Sequence, residues 1–319
     1  MSGKNPRYLL LVLVLAVLTC LVALLALDLS APDTAEEPNG TLASQDETTA
    51  GQDAAQEAAS DNANDMLASR IEAIAREDTT HYALFVAYPL ENRPHYIYQS
   101  SQMRSASMIK VFILAAAMER VKAGHLSLDQ TLTLHASDKV GGSGVLTGYA
   151  NGTQLTLNKI LRLMITESDN TATNMMIDLL GMDAINAYIA QNGYHDTVVR
   201  RKMMDRAAIA VGQENVTSVT DLGNFFAKLY NHALVSPELD DVMLGYLTAQ
   251  TDTECFPAEL PGFRIAHKTG ELDGLYDDGG IIYHGDRPLI VVGMTESYSS
   301  RGRAIRSLRR MLRAAVDCY

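Results

Sequence analysis

The sequence predicts an α+β fold behind an apolar N-terminal segment. Three observations carry this. Strand-like runs cluster at both ends of residues 66–319. The stretch between them has helical periodicity. An uncharged apolar run occupies residues 8–27. Strands at both chain ends with helices between them fit one antiparallel sheet with a helical insert, better than alternating βαβ units.

Residues 8–27 are apolar except Thr19 and are long enough to cross a bilayer core as a helix. Lys4 and Arg7 precede them and Asp28 ends them. The positive flank predicts a cytoplasmic segment at 1–7, a signal-anchor at 8–27 and everything beyond it outside the cytoplasm. A cleaved signal peptide is the rival reading. Cys20 lies mid-run with no small residue before it, and reads as a membrane cysteine, not a lipidation site. Residues 28–65 hold ten acidic residues and no Lys or Arg, so most of the net charge of −12 belongs to this stretch. It has no aromatics, cannot bury enough apolar surface to order itself, and reads as an acidic linker. No basic stripe suits a nucleic acid. Cys255 and Cys318 fall in the exported part, where a disulfide is permitted.

The folded domain is expected over 66–319. Residues 66–77 have helical periodicity. Residues 81–90 and 95–99 read as strands joined by the turn at 91–94. An apolar helix follows at 107–122, then helices at 157–167, 171–180, 183–192 and 218–232. Strands return at 263–269, 275–284 and 289–295. A last helix, 300–317, carries Arg306, Arg309, Arg310 and Arg313 on a face read as solvated. Asp277 and Asp278 read as turn or strand-edge residues, and Met175 and Met176 as core filler. Eight histidines are scattered without ligand spacing, so no metal or other cofactor is expected.

Three short motifs stand in order: S-x-x-K at Ser107 and Lys110, S-D-N at Ser168, Asp169 and Asn170, and K-T-G at Lys268, Thr269 and Gly270. An S-x-x-K arises by chance about once in a chain of this length. The ordered trio is far more specific. A serine hydroxyl is a poor nucleophile until a neighbouring base takes its proton. Positions i and i+3 of a helix share a face, which sets Lys110 beside Ser107. Burial in an apolar helix, and a second cation at Lys268, would hold Lys110 neutral and basic.

The segment SASMIKVFILAAAMERV resembles the nucleophile helix of the class A β-lactamases and penicillin-binding proteins. GGSGVL followed by ITESDNTATNMMIDLLG resembles their approach to S-D-N, and IAHKTGELDGLYDDGGIIY resembles their K-T-G strand and its neighbour. The resemblance runs from about residue 66 to the end. It implies a five-stranded antiparallel sheet with flanking helices, an all-α lobe and an active site between them. It also implies roles. Ser107 is acylated, Lys110 is base or relay, and Ser168 passes a proton to the leaving nitrogen. Asn170 binds the acyl side-chain amide. Lys268 and Thr269 hold the substrate carboxylate, and Gly270 lets it approach the strand. Backbone N–H groups of Ser107 and Glu271 bind the oxyanion, and Asp169 holds its loop.

The sequence departs from the family at the omega loop. The deacylating glutamate is expected in an R-x-E-P-x-x-N pattern. After Arg201 its place falls on Met203, or on Met204 if shifted, and no proline follows. Asp205, Glu214 and Glu167 are the substitute carboxylates. K-T-G-E at Glu271 also alters the pocket rim. The expected activity is acyl-enzyme formation with β-lactams or D-alanyl cell-wall peptides by a monomeric, membrane-tethered hydrolase, with slow deacylation. A tethered non-hydrolytic receptor or scaffold, and a serine-dependent glutaminase, are the other readings.

Overall fold

The computed structural model describes residues 62–91 and 93–319. The segments expected at 1–7 and 8–27, and the linker up to residue 61, lie outside the described residues. A first helix, α1, covers residues 62–75, so residues 62–65, read as the end of the linker, are helical. Its buried side chains Leu67, Ile71 and Ile74 follow the i, i+4, i+7 rule of an amphipathic helix. Among the described residues no helix is long and apolar enough to cross a membrane.

The chain then builds β1 (His81–Ala87) and β2 (Tyr96–Tyr98). A short pair follows, β3 (Met103–Arg104) with β6 (Val216–Thr217), and a hairpin-like pair, β4 (Thr131–Thr133) with β5 (Gln154–Thr156). The expectation of a purely helical insert is corrected by these two ribbons. The insert's helices are α2 (Lys110–Lys122), α3 (Leu157–Thr166), α4 (Asn170–Leu180), α5 (Met182–Gln191), α6 (Arg206–Ala210), α7 (Val219–Tyr230) and α8 (Pro237–Thr248). A short α9 (Phe256–Glu259) precedes β7 (Arg264–Leu272), β8 (Leu275–Tyr283), β9 (Leu289–Glu296) and α10 (Arg301–Asp317).

The main sheet has five strands in the order β2-β1-β9-β8-β7, and every neighbouring pair is antiparallel. Side chains alternate between two cores. Ala83, Phe85, Ala87, Val292 and Met294 face the helical lobe. Tyr82, Leu84, Val86, Val291 and Leu289 face α1 and α10. A sheet covered on both faces needs near-continuous apolar strands, which is why β1 is buried throughout beyond His81.

One expectation changes, that for the two β8 carboxylates. Asp277 and Asp278 are fully buried in β8, an interior strand. Asp278 pairs with His267 Nδ1 at 2.8 Å and accepts the Phe256 N–H at 2.9 Å, while Asp277 accepts the Thr295 N–H at 3.0 Å. Burial pushes the Asp277 carboxyl well above the usual carboxylate range. On α10, Arg310 pairs with Glu77, Arg313 with Glu259, and Arg309 donates to the Glu254 carbonyl. These exposed ties each contribute little, about 0–1 kcal/mol. Cys255 and Cys318 are buried free thiols in the core between sheet and α10. Met175 and Met176 are buried in the lobe's core, as read.

Candidate active site

Ser107 sits in a 3₁₀ turn, Ala106–Ile109, that feeds directly into α2. The sequence pattern predicted an uninterrupted helix there. The turn is pinned by the Ser105 N–H to the Asn215 carbonyl at 2.9 Å, and Ala106 is held at φ 41°. Residues of α2 from Lys110 to Met118 are all buried, as the all-round apolar sequence requires.

The S-D-N segment is fixed by Asp169. One carboxylate oxygen caps α4 through the Ala172 N–H at 2.9 Å; the other accepts the Val145 and Leu146 N–H groups at 2.7 and 2.8 Å. This carboxylate therefore ties the loop at 141–146 to α4, the structural role expected of it. Gly144, at φ 119°, lies so close that a Cβ there would come within 2.3 Å of that carboxyl group. Ser168 adopts φ 50°, and Met204 φ 60°. Left-handed backbone at non-glycine residues costs about 1–3 kcal/mol each and gathers where geometry is imposed by the surroundings.

These constraints converge on one hydroxyl. Ser168 Oγ lies 3.1 Å from Lys110 Nζ and 3.1 Å from Lys268 Nζ. Lys110 Nζ also meets the Ser168 carbonyl at 2.5 Å and Asn170 Oδ1 at 2.9 Å. Burial, and secondly the Lys268 ammonium, push Lys110 well below the ordinary lysine range, with Asp169 opposing. A neutral amine has two N–H donors and one lone pair. When the amine is neutral, its two N–H groups are matched by the two carbonyl oxygens and its lone pair can turn to the Ser168 hydroxyl. Burial pushes Lys268 down to about 8, so it keeps its proton at neutral pH. It donates to Ser168 Oγ and to the Thr269 carbonyl at 2.6 Å.

Two cavities meet at Ser107. One, of about 160 Å³, is walled by Ser107, Ser168, Thr269, Glu271, Glu167 and Asp252. The other, of about 150 Å³, is walled by Ser107, Asn170, Glu271, Arg201, Met203 and Met204. Lys110 and Lys268 are fully buried beneath them. Asn170 faces the second cavity with its amide already engaged, Oδ1 to Lys110 and Nδ2 to the Gly141 carbonyl at 3.1 Å. Gly270 also has a packing role. A Cβ there would meet Met108 Cγ at 3.1 Å and Ala106 Cβ at 3.2 Å, so its missing side chain lets the nucleophile turn pack on β7. Glu271 is exposed on the rim and held by Arg301 at 2.6 and 2.9 Å, which also clamps both carboxylate oxygens of Glu254 at 2.7 Å.

The omega-loop segment carries no free carboxylate toward the second cavity. Met203 lines it, with its backbone bracketed by the Asn174 amide: its N–H donates to Oδ1 at 2.7 Å and its carbonyl accepts from Nδ2 at 3.1 Å. Arg201 pairs with Glu214. Asp205 caps α6 through the Ala208 N–H at 3.1 Å and lines neither cavity. Sequence reasoning missed Asn174, Asp252 and Arg301. Only Asn174 had a signal: it lies four residues after Asn170, on the same helix face. Among the described residues no cluster of His, Cys, Asp and Glu suits a metal ion.

A family model described as the β-lactamase enzyme family matches residues 66–319. The chain is 25% identical over 172 residues to β-lactamase VEB-1 of Pseudomonas aeruginosa, covering 51% of this chain and 58% of that one. It is 28% identical over 200 residues to a β-lactamase of Streptomyces fradiae, covering 59% and 64%. Both matches span less than two thirds of the relative's length. Among solved structures, a β-lactamase from Sphaerobacter thermophilus superposes with TM-score 0.73 at 30% identity, covering 79% of this chain and 95% of that one. PBP-A does so with TM-score 0.73 at 25% identity and the same coverage. The sheet order, the serine turn between sheet and lobe, the paired lysines and the match over the whole folded region agree, and the chain belongs to the β-lactamase enzyme family.

Proposed function

We propose that the chain is a serine hydrolase that forms an acyl-enzyme on Ser107 with β-lactams or D-alanyl peptide-like amides. The carrying observation is the Ser168 hydroxyl, 3.1 Å from both lysine amines and in the wall of the cavity that holds Ser107. Ser107 Oγ attacks the carbonyl carbon, and its proton passes to Lys110, directly or through Ser168. The C–N bond breaks, and Ser168 delivers a proton to the departing nitrogen. Water completes hydrolysis by cleaving the ester. Lys268, turned inward, acts on a substrate carboxylate through its charge, while Thr269 lines the cavity and offers the contact. PBP-A, of the same fold, has been captured in variant form as an acyl-enzyme complex with penicillin G, which supports the same reaction here. A fluorescent penicillin is expected to label the wild-type chain and not Ser107→Ala. Equal labelling of both would contradict the assignment.

Deacylation is proposed to be slow, because methionines occupy the second cavity where the family's glutamate is expected. A tethered receptor shares the acylation step and differs only in never completing turnover.

We also propose that residues 8–27 anchor the enzyme outside the cytoplasm, on the strength of their uncharged run and its positive flank. Alkaline extraction should leave the full-length chain in the membrane pellet and release a chain that begins at residue 28. Release of the full-length chain would contradict the anchor.

A further inference from the structure

The two cavities at Ser107 are chemically unlike. Ser143 and Glu271 are common to both. The one containing Ser168 is the leaving-group half, because the group that protonates the departing nitrogen must lie beside it. The one containing Asn170 and Met203 is the acyl half. Ser168, which lines only the first, marks it as the place of the substrate's nitrogen side, and two carboxylates, Glu167 and Asp252, stand in its wall.

Among the described residues both carboxylates have neutral hydrogen-bond partners, although the Lys268 ammonium acts on Asp252 through its charge. Glu167 accepts the Thr251 hydroxyl at 3.2 Å. Asp252 accepts the Glu254 N–H at 3.1 Å and meets the Tyr276 hydroxyl at 3.5 Å. Among the described residues neither forms an ion pair. The hydrogen-bond donors of the nearby basic groups are committed elsewhere: Lys110 and Lys268 are fully buried, with their amines on Ser168, Asn170 and the Thr269 carbonyl, and Arg301 is clamped between Glu254 and Glu271. Two carboxylates stand here against the one buried Lys268 ammonium, so the wall is net negative, and a cleft with an excess of one sign concentrates ligands of the other.

We propose that this half of the site selects substrates whose leaving amine carries a second, cationic group: an amide or lactam with an ammonium, guanidinium or pyridinium on its nitrogen side. This rests on the acylation of Ser107 proposed above. A neutral group at that second position leaves Glu167 and Asp252 without an ion-pair partner, and a second anionic group there is repelled by them.

Cephaloridine and cephalothin test this, since they share one acyl side chain and one ring carboxylate. They differ on the leaving side, by a pyridinium against a neutral acetoxy group. Second-order acylation rates of the full-length chain are read by intact mass and corrected for each drug's reactivity with hydroxide. Cephaloridine is expected to react about tenfold faster at low salt. The ratio should shrink toward unity near ~1 M salt, where screening reaches about 3 Å. It should fall roughly threefold in Glu167→Gln and in Asp252→Asn, as expected for one partly screened carboxylate of two. Because each ratio is internal to one protein sample, a partly misfolded variant does not mimic the effect. A wild-type ratio of one or less, or a ratio that neither substitution moves, overturns the selectivity while leaving Ser107 acylation standing. Failure of both drugs to modify Ser107 overturns the acylation reading and the selectivity with it.

Discussion

Replacing Lys110 with alanine is expected to slow acylation of Ser107 by penicillin G about 10³-fold, within the range of a lost general base. Lys110 is fully buried, its amine is pushed well below the ordinary lysine range, and once neutral it lies 3.1 Å from the Ser168 hydroxyl with a lone pair to offer. Among the described residues no other amine is placed to accept that proton, because Lys268 keeps its own at neutral pH. The pH profile carries the same signature. Acylation should rise as pH climbs through the lowered Lys110 value, where the amine becomes neutral. It should fall again near pH 8, where Lys268 loses the charge that attracts a substrate carboxylate and supplies Ser168. Lys110→Ala should lose the acid limb and keep the alkaline one. Stopped-flow acylation across pH checks this, with circular dichroism as the control for folding. A rate within tenfold of wild type would remove Lys110 from the base role.

Changing Met203 to glutamate is expected to turn a trapped acyl-enzyme into one that turns over, raising the deacylation rate by about 10²-fold. Met203 lines the acyl half of the site beside Ser107, and the reciprocal bonds from Asn174 hold its backbone in place whatever side chain it bears. A carboxylate there faces the space a hydrolytic water must use. The charge need not stand alone, since Arg201 lies in the same wall. Release of hydrolysed penicillin per mole of Met203→Glu protein, against wild type, measures the gain. If wild type already turns over rapidly, or if the variant gains nothing, the methionine does not limit deacylation. Asp205 is a poor substitute, because its carboxylate is spent on capping α6.

The fold was legible wherever a segment's own pattern decides its state. The continuous apolar run of β1, the 3.6-residue periodicity of α1 and the glycine-bounded strands near the C-terminus all reappear within a few residues of their predicted limits. Helix α8 was missed although Ser236 and Pro237 open it and Glu238 and Asp240 follow, a helix-start pattern. Asp277 and Asp278 were misread because their partners, Thr295, His267 and Phe256, come from other segments, and nothing local reveals a carboxylate buried in an interior strand. The site shows the same division. Ser107, Lys110, Ser168, Asn170 and Thr269 were readable because their chemistry travels in fixed short spacings. Glu167 was named only as a substitute carboxylate, and Asp252 and Arg301 join the site only through the placement of the α8–α9 connection and α10. The short strain points at Ala106 and Ser168 have no sequence mark, since neither residue type favours the left-handed region.

Time-resolved intact-mass measurement of the full-length chain with penicillin G, beside Ser107→Ala, tests the central claim most directly. The account predicts one added penicillin per chain within the first time points, mapped to the peptide containing Ser107, persisting long after free drug is removed, and absent from Ser107→Ala. An adduct on another residue, an equal adduct in Ser107→Ala, or neither adduct nor hydrolysed drug from the wild-type chain would contradict it.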